Sequence, residues 1–364
     1  MKRRYNGLDL MKVFAAYFVV CAHVISNALD RINFLNASGE LVKDFSYYFF
    51  TALRIFCTWA VPMFIMASGA FVLASPGTKD YRKFYGKAKG RILVPTVVFS
   101  IIYSIVYPCL YYFMGQFKED GVRGALNMAL TNLAKGAPAE HMWYMFTLIV
   151  LYLMAPFVVS MREMLGERNF AVAAVLLTVW GSIDNLASPP VLYWDLGFGA
   201  NMLGIFMLGY VIRQWIGQEE NGKKAALFIL GGVAAGALQV VFKETLPVGT
   251  LYFVLSGKFP YAPLNIIMAA CFLTAALLLP VQKDFGKPAA YTYWIYLAHP
   301  LFMMLLFVAG GAVTGKGFKG IAVTVPTFLL CSAIVFCLSY ALGWLIERVL
   351  SGKQKKSLRK AGTQ

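Results

Sequence analysis

Residues 9–26, DLMKVFAAYFVVCAHVIS, form a run apolar enough for a lipid bilayer that keeps three ionisable groups, Asp9, Lys12 and His23. Its length and its lack of period-two alternation predict a membrane-crossing helix rather than a strand. At ~100° per residue, the path from Lys12 to His23 ends within ~20° of three full turns. The two side chains therefore share a face, ~16 Å apart along the axis. Asp9 precedes Lys12 by one turn, within ion-pair reach on the same side. The polar groups form one stripe, and a stripe of this kind is expected to face the interior of a helix bundle.

The rest of the chain agrees with that beginning. It has 364 residues, 59% hydrophobic and 14% charged, with a mean hydropathy of +0.65. A soluble domain carries about 25% charged residues. Apolar runs predict ten spans: 8–29, 46–75, 92–115, 140–161, 169–187, 199–217, 225–242, 261–282, 290–309 and 321–347. The expected fold is all-α, a polytopic integral membrane protein with about ten transmembrane helices. Residues 1–347 read as one transmembrane domain and 348–364 as a basic cytoplasmic tail, disordered and resting on anionic membrane lipid.

A net charge of +16 raises the possibility of nucleic acid. The positions of the charges argue against it, since they gather between apolar runs and at the two ends. Of 33 Lys and Arg residues, 22 fall in segments on the side of the termini and nine on the opposite side. By the positive-inside rule both termini are cytoplasmic and the location is the plasma membrane. The basic start MKRRYNG has no convincing cleavage site after it, so the first run reads as a retained span. The six cysteines lie in apolar runs without CxxC or Cys/His spacing. Neither a disulfide framework nor a metal site is indicated.

Several further residues invite a functional reading. His141 opens the fourth span in HMWYMFTLIVLYLMAPF beside Trp143, where an interfacial aromatic belt is the competing explanation. His299 sits mid-span before Pro300, whose missing N–H frees a backbone group, so structural satisfaction of this histidine is expected over catalysis. Arg54 lies deep enough in the second span to call for a partner or a polar cavity. Pro62 and Gly69 predict a broken helix in VPMFIMASGAFVL. The stretch KDYRKFYGKAKGRILVP carries Arg82, Lys83, Lys87 and Arg91 among aromatic residues. It suits topology alone, or a phosphate-bearing ligand with a purine ring. Walker A, HExxH, GxSxG and HxxxD motifs are absent. Lys12 and Asp9 have their own competing reading, a snorkelling lysine with an interfacial partner.

Taken in order, five stretches resemble membrane acyltransferase family 3, the O-acyltransferases of surface polysaccharides. They are LDLMKVFAAYFVVCAHV, with its Lys-x10-His spacing, VPMFIMASGAFVL, KFYGKAKGRILVP, HMWYMFTLIVLYLMAPF and YWIYLAHPLF. The likeness extends from residue 8 to residue 347. The single-domain members, the group of enterobacterial common antigen O-acetyltransferases, are the most similar. The resemblance implies ten core helices, an acyl-CoA donor (usually acetyl-CoA) used from the cytoplasmic side, and transfer to a hydroxyl of a carbohydrate or lipid-linked sugar. It implies no permanently bound cofactor; acetyl-CoA is a co-substrate. It makes His23 the essential histidine, Lys12 its basic partner where arginine is commoner, and Arg91 the basic position before the third helix. Lysine cannot supply a forked guanidinium contact.

Residue chemistry fits that implication. Acyl transfer from a thioester needs a base for the hydroxyl proton and positive charge near the CoA phosphates. His23 is the expected general base, with Lys12 and Asp9 beside it in the catalytic set. Arg91, Lys83, Lys87 and Arg82 are the expected donor contacts, and His141, Trp143 and Arg54 the expected acceptor contacts. The rival class is a proton-coupled secondary transporter or exporter, which a broken helix and intramembrane Asp, Lys and His would also suit. No inverted repeat supports it.

Overall fold

A computed structural model describes residues 4–29, 42–113, 117, 120–134, 138–186, 197–246, 262–314 and 324–361. Most of these residues are helical, with no strand among them. In chain order the helices are α1 (Asn6–Leu29), α2 (Phe45–Cys57), α3 (Ala60–Val72), α4 (Tyr81–Ala88), α5 (Val94–Phe113) and α6 (Gly121–Ala134). They continue with α7 (Trp143–Leu186), α8 (Gly197–Ile216), α9 (Gly222–Thr245), α10 (Pro263–Leu278), α11 (Gly286–Thr314) and α12 (Val325–Ala361). Among the described residues, seven stretches are long and apolar enough to cross a membrane, and α10 is a shorter apolar helix. The protein is an all-α polytopic membrane protein.

Sequence chemistry explains the interruptions. Pro62 has no N–H for the Thr58 carbonyl, and the helix breaks there, between α2 and α3. Gly69 is not part of that break. A Cβ on Gly69 would sit 1.7 Å from the Phe206 carbonyl oxygen, and one on Gly209 would sit 1.8 Å from that of Met66. Only glycine lets α3 and α8 cross so closely. The 44-residue α7 turns at Gly166, whose φ of 72° and ψ of 163° belong to a region that is essentially glycine's own. Past that turn it runs back antiparallel to α8, pairing Phe170 with Tyr210 at 5.7 Å and Ser182 with Asn201 at 2.9 Å.

The C-terminal end of α3 is held by side chains from other helices. Arg213 donates to the Ala70 carbonyl at 2.7 Å, Arg162 to Leu73 at 2.7 Å and Thr78 to Val72 at 2.6 Å. A helix end leaves its last carbonyls without intrahelical partners, and the cations also oppose its negative dipole end.

Contacts sort the connections into two ends. Arg4 pairs with Asp284 at 3.4 Å, Tyr5 donates to the Gly217 carbonyl at 2.9 Å and Asn6 to that of Val281 at 3.1 Å. Lys79 pairs with Glu163 at the Gly166 turn. The segments around 79–91, 162–168, 213–224 and 279–287 therefore share the end where the chain begins. At the other end Lys43 and Tyr47 meet Glu244 at 2.6 and 2.9 Å.

The expectation of a disordered tail needs correction. The tail is not disordered, because α12 continues as helix to Ala361; its Lys, Gln, Leu, Arg and Ala residues have high helix propensity and no proline stops them. The connection after the third span holds a helix, α6, packed on α5. Val122, Leu126 and Leu130 stand exposed along it at four-residue spacing, the apolar stripe of an amphipathic helix. Segments 30–41, 247–261 and 315–323, with four of the nine cations expected on the opposite side, lie outside the described residues.

Candidate functional site

Helix α1 sets the axis of the site. Near its start, Asp9 receives a 2.7 Å hydrogen bond from Arg4 and lies 3.7 Å from Lys12. The Asp9 hydrogen bond holds the Arg4 guanidinium above its ordinary pKa. Asp9 thus orients two cations at the mouth of the bundle and lines neither of the cavities described below. The Lys12 ammonium lies 5.8 Å from the centroid of the Phe71 ring.

Lys12 and Arg91 open onto one cavity of about 210 Å³, whose walls include Ser68, Tyr144, Tyr152, Tyr293 and Tyr296. Arg91 reaches it from a π-helical turn, Lys89–Leu93, closed by a bond from the Val94 N–H to the Lys89 carbonyl. Pro95 follows and cannot donate to the Arg91 carbonyl, so the ladder is already broken here. A single π turn re-aims side chains and is frequent at functional sites. Ile92 and Tyr152 also border an apolar cleft of about 330 Å³ that Lys89 and Tyr85 share. Arg82, Lys83 and Lys87 project from α4 into solvent and line neither space.

Three turns along α1, His23 meets the chain's two other histidines. Ring centroids are 4.8 Å apart for His23 and His299, 5.3 Å for His141 and His299, and 6.1 Å for His23 and His141. His141 arrives in a short 3₁₀ turn ahead of α7, with its ring against Tyr103 at 5.0 Å. Each Nδ1 assignment follows from its partner. His23 Nδ1 lies 2.9 Å from the Val19 carbonyl, and His299 Nδ1 lies 2.8 Å from the Tyr296 carbonyl. A carbonyl oxygen only accepts, so both Nδ1 atoms carry hydrogen and both Nε2 atoms are proton acceptors. The Tyr296 carbonyl is the one Pro300 leaves without an N–H. His299 is structurally satisfied at one nitrogen, as its position before proline suggests. Its Nε2, like His141 Nε2, is buried with no hydrogen-bond partner among the described residues.

His23 and His141 line a second cavity of about 340 Å³ with Tyr107, Tyr111, Asn132, Glu140 and Met304. Glu140, Asn132 and the tyrosines place it toward the end opposite Arg4. Trp143 packs on Tyr144 at 6.3 Å and lines neither cavity. Arg54 is exposed in the last turn of α2 and is likewise outside both. The sequence reading missed His299 Nε2, Tyr296 and Glu140 as neighbours of the site. The three histidines, each within or at the end of a span, were the available signal. No set of three or more His, Cys, Asp or Glu side chains among the described residues is arranged to hold a metal.

Chemically, the arrangement offers two things: cations beside an open cavity at one end, and imidazole proton acceptors in a polar chamber toward the other. The chain matches no curated protein and no solved structure. A family model described as an acyltransferase domain, that of acyltransferase family 3, matches residues 5–344. That match spans α1 to the apolar part of α12, so both cavities lie inside it; the chain belongs to membrane acyltransferase family 3.

Proposed function

We propose that this membrane acyltransferase moves an acyl group, acetyl in the simplest case, from acyl-CoA to a hydroxyl of a cell-surface carbohydrate or lipid-linked sugar. The observation that carries the proposal is the pair of cavities on either side of the histidine cluster, one basic and one polar. In this reading Lys12 and Arg91 receive the CoA end of the donor, since phosphates favour charge-assisted bonds. The acceptor sugar occupies the His23 chamber, with Glu140, Asn132, Tyr107 and Tyr111 as hydrogen-bonding groups. The Lys and Arg asymmetry supports a reading in which the basic cavity and both termini face the cytoplasmic side of the plasma membrane.

The chemistry uses His23 Nε2. It takes the proton of the acceptor hydroxyl as the oxygen attacks the thioester carbonyl. Collapse of the tetrahedral adduct breaks the C–S bond, and the imidazolium returns the proton to the departing CoA thiolate. Val19 fixes the tautomer throughout. His299 and His141 pack against the His23 ring and hold it in place. Asp9 acts at a distance, holding Lys12 and Arg4 in place.

The test is acyl transfer by the detergent-purified full chain, supplied with radiolabelled acetyl-CoA and lipid-extracted envelope glycans. Mass spectrometry of glycans from a deletion strain should show the loss of one acyl substituent. A purified protein that neither binds acetyl-CoA nor changes any envelope glycan would overturn the proposal.

A further inference from the structure

We infer that Tyr296, backed by Tyr144, is a partition between the donor cavity and the histidine chamber, a positioning residue that keeps water from the thioester until an acceptor hydroxyl is in place. The inference rests on the acyl-CoA reading above and adds to it the device that favours transfer over hydrolysis.

Tyr296 lines one space and packs against a wall residue of the other. It lines the cavity that holds Lys12 and Arg91. Its ring also packs on His141 at 5.5 Å and on His299 at 5.9 Å. Tyr144, another wall of the Lys12 cavity, meets it edge-on at 4.9 Å. Both tyrosines are buried. The Tyr296 hydroxyl donates to the backbone carbonyl of His141, which ties α11 to the 3₁₀ turn at the head of α7. One aromatic layer therefore separates the two cavities.

The chemistry of the two sides explains why such a layer matters. The histidine chamber has a polar wall of Glu140, Asn132, Tyr107 and Tyr111, a lining that suits water. A general base that activates a sugar hydroxyl activates water equally well. Water attacking the thioester carbonyl breaks the same C–S bond, giving a free carboxylic acid and the CoA thiol, with no co-reactant beyond water. The proton passes from water to His23 and on to the thiolate. Where the cavities ran together, hydrolysis would compete with transfer in every cycle. An aromatic layer, displaced only by the thin end of the donor, excludes water from the reacting carbonyl. A hydrogen bond to a backbone carbonyl and the ring contacts on either side hold the layer closed.

The experiment measures CoA thiol release from acetyl-CoA with no acceptor present, using the full chain in detergent. Wild type, Tyr296→Ala, Tyr296→Phe and Tyr296→Ala/His23→Ala are compared, each checked for monodispersity, with calorimetric acetyl-CoA binding measured in parallel. Tyr296→Ala should release thiol on the order of ten-fold faster than wild type, and adding His23→Ala should return the rate to the wild-type level or below. Tyr296→Phe keeps the ring and loses its tie, and should leak at an intermediate rate. This gain of hydrolysis is a readout that a merely structural tyrosine would not produce. If Tyr296→Ala does not stay folded, Tyr296→Phe decides. Intact acetyl-CoA binding with no faster hydrolysis in any folded Tyr296 variant would overturn the partition alone. Absence of acetyl-CoA binding by the wild type would overturn the donor reading and the partition with it.

Discussion

The imidazole rings of His23 on α1 and His299 on α11 stand 4.8 Å apart, centroid to centroid. Each donates from Nδ1 to a carbonyl of its own helix, Val19 for one and Tyr296 for the other. His23 and His141 line one chamber with His299 buried against them, and His141 Nε2 and His299 Nε2 have no hydrogen-bond partner among the described residues. A hydroxyl entering that chamber brings the donor hydrogen that such nitrogens call for.

His23→Gln should lower kcat for transfer by ~10²–10⁴-fold, the usual cost of losing a general base. An amide can hydrogen-bond the hydroxyl but cannot take its proton at neutral pH. Acetyl-CoA affinity should stay unchanged, because the basic cavity is built by other residues. Steady-state kinetics and calorimetry on the purified variant separate the two effects. Near-wild-type turnover would remove His23 from the mechanism.

Arg91→Ala should weaken acetyl-CoA binding, and the loss should be largest at low ionic strength, since an exposed cation acts through screened attraction. Lys12 shares the cavity, so Lys12→Ala should behave in the same direction and Lys12→Arg should retain most binding. Titrations at two salt concentrations check this. Equal affinity for Arg91→Ala and wild type at low salt would contradict it.

Gly69→Ala should destabilise the fold by about 3 kcal/mol or more, at the upper end of overpacking costs, because the obstacle is backbone rather than a movable side chain. Gly77→Ala is the matched control: its Cβ would meet only Ser75 Oγ, at 3.7 Å. Thermal unfolding in detergent should show a lowered midpoint for the first and an unchanged one for the second.

Arg213→Met keeps an apolar stem and loses the bond to the Ala70 carbonyl. Leaving that carbonyl unpaired should lower stability by ~1–3 kcal/mol, together with the contact to the Phe71 ring at 4.5 Å. The unfolding midpoint should fall while acetyl-CoA affinity, measured below it, holds.

Topology can be read by cysteine labelling in a background lacking the six native cysteines. Lys287→Cys, exposed beside Asp284 at the Arg4 end, should react with an impermeant reagent only after the cells are opened; Asp120→Cys, exposed ahead of α6, should react in intact cells. Reversal of the two would invert the membrane orientation. Thr78 is a poor reporter because it is buried against the Val72 carbonyl.

What the sequence determined by itself was local. In lipid an apolar run of this length satisfies its backbone groups only as a helix, so hydropathy marks the spans without knowledge of their neighbours. Helical phase put Lys12 and His23 on one face of α1, and Pro62 marked the break between α2 and α3, because both follow from one helix's own hydrogen-bond geometry. The Lys-x10-His spacing within an ordered set of motifs carried the family. What only the tertiary structure decided was which helices meet. His299 is brought to His23 by the packing of α11 against α1, and His141 by the 3₁₀ turn at the head of α7. Gly69 proved to be a crossing point because Phe206 lies opposite it. Arg54 and Trp143, plausible from depth and composition, fall outside both cavities. Periodicity tells which way a side chain points from its own axis; what stands in front of it is set by contacts between segments far apart in the chain.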